Sequence, residues 1–230
     1  MPAHPIQTRK HDLAITLQKV NPHPKPKAAL EQYTIPADLA AEILFTACYI
    51  HDDIRRKLVL DLGTGTGRLA LGASLLGADY VVGVDVDALS LRQACIAERS
   101  LHANVDFVLG DIATIRGSVD TVLMNPPFGT KKAHADIQFL QSALRLANVV
   151  YSIHKSSTRA FLNRWLERGG FNCDRIIVTE MEIPHQFNFH QKRRVSVEVD
   201  VIRITPQPRK LSPLYAQNDT EIPQMLKKSK

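Results

Sequence analysis

Short apolar runs alternate with longer amphipathic stretches along most of the chain. Five of these runs predict buried strands, at residues 58–62, 80–85, 105–109, 121–124 and 149–153. Stretches between them have apolar residues at helical spacing and predict helices, for example over 88–101 and 134–148. Because short apolar strands separated by helices are typical of a parallel sheet covered on both faces, we expect a doubly wound α/β fold.

The last two apolar runs break this alternation. They lie at residues 174–183 and 195–204, and no helical pattern separates them. In the second run, Val195, Val197 and Val199 alternate with polar residues, which is the period of a strand. A hairpin at the end of a doubly wound sheet makes its last strand antiparallel. The pattern therefore predicts seven strands, mostly parallel, with an antiparallel last strand and helices on both faces.

The segment before the first strand predicts two helices joined by an extended linker. Residues 8–20 have apolar positions at helical spacing, whereas three prolines within residues 21–27 exclude a helix there. A second helix is predicted after Pro36, which suits a first helical turn. We therefore divide the chain into an N-terminal segment (1–54), a sheet domain (55–205) and a proline-containing tail (206–230) that we expect to be disordered.

Charge is unevenly distributed over the 230 residues. The formal net charge is +6, but residues 1–30 carry five basic groups and one acidic group, and residues 206–230 carry five and two. Residues 31–205 carry 19 basic and 20 acidic groups and are thus nearly neutral, so the positive charge lies at the ends. Basic ends are typical of proteins that contact phosphates. A solvated, frayed tail accounts for residues 206–230 equally well.

Composition narrows the class of protein further. The apolar fraction of 44% excludes a disordered chain, and no stretch approaches the length of a membrane span. The first ten residues lack the apolar core of a secretory signal. The three cysteines lie far apart, without metal-ligand spacing, so we expect no metal site. We expect a cytoplasmic protein without membrane contact, or a nuclear or nucleolar one if the source is eukaryotic.

A glycine-rich loop follows the first predicted strand. In Asp61-Leu-Gly63-Thr-Gly65-Thr-Gly67, the glycines allow the backbone to turn sharply and to approach a ligand closely. Position 68 is arginine, so the spacing differs from the dinucleotide fingerprint, and no lysine followed by serine or threonine indicates a triphosphate site. Tight turns also use glycine, and the loop alone is weak evidence for a ligand.

Two acidic residues strengthen the case for a nucleoside ligand. Asp85 ends the second predicted strand and can accept hydrogen bonds from both ribose hydroxyls, while Asp111 follows the third and can accept one from an adenine amino group. This spacing resembles the S-adenosylmethionine site of class I methyltransferases, which have a Rossmann-like sheet with an antiparallel seventh strand. The resemblance implies that Asp61 and the glycine loop lie against the methionine part of the cofactor.

The tetrapeptide Asn125-Pro126-Pro127-Phe128 follows the fourth predicted strand. Consecutive prolines remove two backbone donors and fix the directions of their carbonyl groups. The side-chain oxygen of Asn125 and the Pro126 carbonyl can each accept one hydrogen of a planar amino group, which favours the pyramidal nitrogen that attacks a methyl group. Phe128 can stack on a flipped-out base. The motif resembles that of amino-group methyltransferases acting on adenine or on glutamine amides.

Four motifs in order resemble the methyltransferase-like protein 5 family and its archaeal relatives. They are Glu31-Gln-Tyr33, Met124-Asn-Pro-Pro-Phe-Gly-Thr130, Tyr151-Ser-Ile-His-Lys-Ser-Ser-Thr158 and Val197-Glu-Val-Asp-Val-Ile-Arg203. The resemblance implies methylation of an adenine in small-subunit ribosomal RNA and a heterodimer with a Trm112-like zinc-binding activator protein. It also implies that residues 1–54 cover the cofactor site, whose predicted contacts are Gln32, Ile35, Asp61, Gly63, Gly65, Thr66, Arg68, Asp85, Asp111 and Ile112.

A loop between the last two predicted strands combines aromatic and basic residues. Aromatic rings stack on single-stranded bases while cations contact phosphates, so the loop predicts an RNA-binding surface. Lys155 follows the fifth predicted strand and should face the same edge of the sheet. A solvated hairpin tip is the alternative interpretation. The predicted RNA contacts are Lys155, Phe187, Phe189, His190, Lys192, Arg193 and Arg194.

Three other functions stay open at this point. A protein glutamine methyltransferase uses the same tetrapeptide, but its peptide groove should be acidic or apolar rather than lined by Arg193 and Arg194. A DNA adenine methyltransferase is disfavoured because the chain has no added target-recognition domain. A purely RNA-binding protein would leave the tetrapeptide without a purpose.

Overall fold

The structure, a computed structural model, describes residues 9–27, 30–128, 135–184 and 194–207. A seven-stranded sheet forms its centre, in the spatial order β3-β2-β1-β4-β5-β7-β6. Strands β1 to β5 are parallel, and β7 is antiparallel to both of its neighbours. The strands are β1 (Leu58–Leu62), β2 (Tyr80–Asp85), β3 (Asp106–Leu109), β4 (Val119–Met124), β5 (Ala147–Lys155), β6 (Phe171–Pro184) and β7 (Arg194–Pro206).

Helices cover both faces of the sheet. One face packs against α1, α2 and α3 through an apolar cluster that includes Leu17, Leu44 and Leu71. The other packs against α5 and α6, through residues such as Leu140 and Leu166. The six helices of the described chain are α1 (Lys10–Gln18), α2 (Ala37–Tyr49), α3 (Arg68–Leu75), α4 (Ala88–Leu101), α5 (Ala135–Leu146) and α6 (Arg159–Arg168), and two short 3-10 turns lie at Ile112–Thr114 and Ser156–Thr158.

The strand periodicity explains why β1 is apolar at every position except Asp61. Val59 belongs to the cluster under α1–α3, whereas Leu60 and Leu62 belong to the cluster under α5 and α6. Successive side chains of a strand point to opposite faces, so a strand with helices on both sides must be apolar at nearly every position. The predicted fold class, with seven strands and an antiparallel last strand, is confirmed.

The C-terminal hairpin inserts its second strand into the sheet. β7 lies between β5 and β6. In the pairing with β5, Arg203 lies opposite Tyr151, and in the pairing with β6, Pro206 lies opposite Phe171. β6 consequently becomes an edge strand, and β3 forms the opposite edge.

The N-terminal segment packs on the sheet domain. Leu13 of α1 and Leu44 of α2 are buried in the same cluster as Val59 of β1. Asp53 accepts hydrogen bonds from Tyr151 (2.6 Å) and from Arg203 (2.8 Å), which links this segment to β5 and β7. The predicted tail after residue 207 lies outside the described residues.

The described ranges contain neither a membrane-spanning helix nor a cluster of metal-ligating side chains. No helix there has the length and apolar character needed to cross a bilayer. In the same ranges, no three His, Cys, Asp or Glu side chains are grouped so that they could hold a metal ion.

Candidate functional site

A cavity of about 580 Å³ opens at the carboxyl ends of β1 to β4. In open α/β sheets this is the edge at which ligands bind. The ten residues that the sequence predicts as cofactor contacts all line this cavity, namely Gln32, Ile35, Asp61, Gly63, Gly65, Thr66, Arg68, Asp85, Asp111 and Ile112. Its volume is typical of a pocket for a nucleoside-sized ligand.

The glycine loop adopts backbone conformations that other residues disfavour. Gly63, Gly65 and Gly67 have φ angles of +68°, +57° and +86°. Gly67 is the N-cap of α3, so the loop leads directly into the start of a helix. The Gly65 amide donates a hydrogen bond of 2.8 Å to Asp85, which joins the loop to the end of β2. The loop is thus held open beside the cavity by its own backbone geometry.

Asp61 is the most deeply buried carboxylate of the cavity, with 1% of its surface exposed. One of its oxygens accepts hydrogen bonds from the Thr64 hydroxyl (2.7 Å) and the Ala70 amide (3.0 Å). Burial raises the pKa of Asp61 to about 7, and these two donors offset only part of that effect. A cationic ligand group beside Asp61 would favour its charged form.

Asp85 and Asp111 also accept hydrogen bonds that stabilise the nearby backbone. The Asp85 carboxylate accepts from the Gly65 and Asp87 amides, both at 2.8 Å, and burial raises the pKa of Asp85. Asp111 is exposed and accepts from the Ala113 amide at 2.9 Å, so it caps the first 3-10 turn. A carboxylate has about four acceptor positions, so these bonds leave room for ligand hydroxyl or amino donors.

Residues 20–27 and 30–36 form a strap across the cavity, called here the N-terminal strap. Gln32 donates to Asp87 at 2.7 Å, and His23 lies 2.9 Å from the same oxygen. Burial works against the charge of Asp87, but the hydrogen bonds from Gln32, the Leu89 amide and His23 hold its pKa at about 2. Asp87, the N-cap of α4, thereby anchors the strap beside the cavity.

Arg68 provides a second anchor for the strap. Its guanidinium donates to the carbonyl of Ile35 and, at 2.6 Å, to that of Val20. The side chains of Ile35 and Val20 are themselves buried in the apolar cluster. Arg68, a predicted cofactor contact, therefore lines the cavity and at the same time holds the strap to the start of α3.

The tetrapeptide lies at the end of the cavity that β4 forms, and Asn125 and Pro127 line it directly. The side-chain oxygen of Asn125 is buried and has no hydrogen-bond partner among the described residues. Buried polar atoms are normally paired, so an unpaired acceptor indicates a place where a ligand donor fits. The Pro126 carbonyl accepts a hydrogen bond from the Tyr33 hydroxyl at 3.2 Å.

Phe128 is covered more than the sequence predicts. It is 9% exposed, its ring centroid lies 5.1 Å from that of Tyr33, and the Lys155 ammonium lies 5.5 Å from the ring centroid. A cation over an aromatic face is a favourable arrangement. A base that stacks on Phe128 must therefore approach beside the Tyr33 ring or displace the Lys155 side chain.

Most of the predicted RNA-binding loop lies outside the described residues. This holds for Phe187, Phe189, His190, Lys192 and Arg193, whereas Arg194 begins β7 and only its backbone is described. Lys155, at the end of β5, is the predicted contact whose side chain the structure places, next to Phe128.

Sequence reasoning missed one wall of the cavity. Helix α5 was predicted, but its polar face was not recognised as part of a site, although it lines the cavity through Gln138, Phe139, Gln141, Ser142 and Arg145. Sequence reasoning also did not identify three further residues of this region, His23, Tyr33 and Asp87. Asp87 directly precedes the predicted helix over 88–101, and this position is a signal that could have identified it as an N-cap.

Comparison with known proteins gives consistent matches over most of the chain. The methyltransferase small domain family matches residues 36–149. An rRNA N(6)-adenosine-methyltransferase METTL5 of Danio rerio is 40% identical over 203 residues, which are 85% of this chain and 98% of the relative. An uncharacterised protein of Methanocaldococcus jannaschii is 38% identical over 208 residues, 85% of this chain and 94% of that protein.

A solved structure supports the same grouping. The crystal structure of a Pyrococcus horikoshii protein, provisionally described as an RNA methyltransferase, is 40% identical and has a TM-score of 0.81. The match covers 88% of this chain and 100% of that chain.

Proposed function

Because the chain belongs to the METTL5-like family of methyltransferases, we propose that it transfers a methyl group from S-adenosylmethionine to the exocyclic amino group of an adenine in small-subunit ribosomal RNA. The observation that carries the proposal is the buried side-chain oxygen of Asn125 at the edge of a nucleoside-sized cavity, which lacks a hydrogen-bond partner within the described part of the chain. An amino group is the simplest donor that satisfies this acceptor.

The cavity residues fit S-adenosylmethionine. The carboxylate of Asp61 would face the amino-acid part of the cofactor, Asp85 the ribose and Asp111 the adenine, with the glycine loop against the methionine chain. The Thr66 hydroxyl is buried in this wall without a partner among the described residues, and a polar ligand atom would satisfy it. When bound, the cofactor supplies an electrophilic methyl group on a sulfonium.

The tetrapeptide would prepare the amino nitrogen for attack. Its lone pair is delocalised into the adenine ring, which makes it a poor nucleophile. The Asn125 oxygen and the free lone pair of the Pro126 carbonyl each accept one amino hydrogen, and this geometry favours a pyramidal nitrogen whose lone pair points at the methyl group. The nitrogen loses a proton after it has gained positive charge, so positioning and electrostatics suffice.

The substrate base would be flipped out of its RNA strand. Phe128 follows the cavity-lining Pro127 and would offer its aromatic surface to the base if the Lys155 ammonium moved from the ring to a phosphate. The loop residues Phe187, Phe189, His190, Lys192, Arg193 and Arg194 would extend this contact along single-stranded RNA. These assignments follow from residue type and from the position of Lys155 at the β5 end of the sheet.

We also propose a Trm112-like zinc-binding partner at the β3 edge. Edge strands present unpaired backbone groups that a second protein can extend. On β3, Val108 and Leu109 are exposed, whereas the ring of Phe107 packs inward against Gly67 and Gly83. The partner would therefore cover Val108 and Leu109, and Phe107 stays in the core beneath the glycine loop.

Glutamine methylation is the competing function. An amide nitrogen meets the same Asn125 and Pro126 acceptors, so the tetrapeptide alone does not separate the two substrates. Relatives named as rRNA adenosine methyltransferases align with about four fifths or more of this chain, which favours RNA.

Replacing the unpaired acceptor tests the proposal. We expect Asn125→Ala to lower methyl transfer at least a hundredfold, the loss typical of one preorganised transition-state contact. The affinity for S-adenosylmethionine should stay within about threefold of wild type, because Asn125 would bind the substrate amino group and not the cofactor. Asn104→Ala, an exposed asparagine before β3, is the matched control. Full activity of Asn125→Ala would refute the acceptor role.

A further inference from the structure

Tyr33 joins the cofactor-covering strap to the catalytic tetrapeptide. Its hydroxyl donates to the Pro126 carbonyl at 3.2 Å, and its ring packs 5.1 Å from the Phe128 ring at an angle of 39°. It thus contacts two of the four residues that the proposed reaction uses.

The strap that carries Tyr33 is fixed on both sides of this residue. Gln32, immediately before it, donates to Asp87, and the carbonyl of Ile35, two residues after it, accepts from Arg68. Gln32, Tyr33 and Ile35 also all line the cavity. The position of the Tyr33 side chain consequently depends on the same anchors that place the strap over the cofactor.

The hydrogen bond has a direct consequence for the acceptor geometry. A carbonyl oxygen has two lone pairs, and the Tyr33 hydroxyl takes one of them. The second remains available, and its direction is fixed because the Pro126 peptide cannot rotate freely between Tyr33 and the following proline. The same ring contact restricts Phe128, the surface on which the base would stack.

The protonation state of Tyr33 is suited to this role. Burial raises the pKa of Tyr33 well above its usual value, and the Glu31 carboxylate adds to the effect. The hydroxyl therefore stays protonated, and able to donate, at pH values where an exposed tyrosine begins to ionise.

We infer that Tyr33 is a positioning residue that orients the Pro126 carbonyl and the Phe128 ring, so that docking of the N-terminal strap sets the geometry of the catalytic tetrapeptide. The inference rests on the proposed methyl transfer and names a residue that acts through Pro126 and Phe128. Tyr33 itself exchanges no proton with the substrate.

Two substitutions separate the hydroxyl from the ring. Tyr33→Phe keeps the packing on Phe128 and removes only the donor, whereas Tyr33→Leu removes both. Tyr49→Phe is the matched control, because Tyr49 packs on Phe45 at 4.5 Å and 41° on helix α2. All three proteins would be purified with the partner, and their melting temperatures, cofactor affinities and methyl-transfer kinetics on RNA compared with wild type.

We expect Tyr33→Phe to lower kcat about tenfold at saturating cofactor, as the loss of one oriented hydrogen bond predicts. The cofactor Kd and the melting temperature should stay close to wild type. Tyr33→Leu should lower kcat further and raise the KM for RNA, because Phe128 loses its aromatic neighbour. Tyr49→Phe should keep wild-type kcat.

A wild-type kcat for Tyr33→Phe, or an increase, would overturn the inference. So would a loss confined to melting temperature and cofactor affinity, since that pattern indicates packing alone. Asn125→Ala in the same assay distinguishes a failure of the positioning role from a failure of the proposed chemistry. If Asn125→Ala is inactive and Tyr33→Phe is normal, only the positioning role fails; if Asn125→Ala is fully active, the proposed chemistry of the tetrapeptide fails.

Discussion

Adding one methyl group at Gly63 or at Gly65 tests how the glycine loop is built. Both residues have positive φ angles, +68° and +57°, so alanine at either position pays a backbone cost of about 1–2 kcal/mol. Their surroundings differ. A Cβ at Gly63 would lie 2.7 Å from Cε1 of Phe139 on α5, whereas a Cβ at Gly65 would have no heavy atom within 4 Å.

The two substitutions should therefore differ in stability. Crowding against a packed ring typically adds about 1–3 kcal/mol. We expect Gly63→Ala to lower the free energy of unfolding by about 2–5 kcal/mol, which combines this with the backbone cost. Gly65→Ala should lower it by about 1–2 kcal/mol, the backbone cost alone. Gly65→Ala should instead weaken cofactor binding, because its methyl group would enter open space in a wall of the cavity.

Urea unfolding followed by far-UV circular dichroism measures the stability difference, and a cofactor titration measures the affinity. A double-mutant cycle with Phe139→Leu isolates the contact, since the smaller side chain removes the crowding at Gly63 and changes nothing at Gly65. We expect a coupling energy of at least about 1 kcal/mol for Gly63 and none for Gly65. Equal destabilisation by the two alanines, or no coupling at Gly63, would refute this account of the loop.

Two further predictions concern the ligand and the partner. Because burial raises the pKa of Asp61 to about 7, a cationic cofactor group should bind more tightly as the pH rises from 5.5 to 7, by up to about tenfold per pH unit, and Asp61→Asn should abolish this dependence. Over the same pH window the free energy of unfolding without cofactor should fall, since the folded protein keeps a proton on Asp61 that the unfolded chain has released. If neither the cofactor affinity nor the free energy of unfolding of wild type changed with pH, the raised pKa of Asp61 would be contradicted. Val108→Lys on the β3 edge should weaken binding of a Trm112-like partner at least tenfold without changing cofactor affinity, whereas Ile50→Lys, on an exposed apolar residue that follows α2, should not. Equal partner affinity of the two lysine variants in a pull-down or calorimetric titration would place the interface elsewhere.

Local patterns were sufficient to predict most of the fold. The bounds of β1, β2 and α4 agree with the sequence interpretation because glycine or aspartate marks their ends and each has a clear period. β6 is longer than predicted and begins at Phe171, since its first residues are held by pairing with residues near Pro206. That pairing depends on a partner strand more than thirty residues away, which no local pattern reveals.

The site was predictable where it lies at strand ends. Asp61, Asp85, Asp111 and Asn125 follow or end parallel strands, so their convergence on one edge could be inferred from strand order alone. The contact of Tyr33 with Pro126 could not, because it requires the strap to cross the cavity and depends on anchors at Asp87 and Arg68. The sequence likewise gave no indication that Phe128 would be covered by Tyr33 and Lys155.

Methyl transfer to RNA, with the product identified, tests the central claim most directly. The protein, with and without a Trm112-like partner, would be incubated with radiolabelled S-adenosylmethionine and, in separate reactions, total RNA, DNA and cell protein, with Asn125→Ala in parallel. The account predicts label in small-subunit rRNA that is recovered after digestion as N6-methyladenosine, and at least a hundredfold less label with Asn125→Ala. Label in glutamine of a protein, with RNA unlabelled in the presence of the partner, would contradict it.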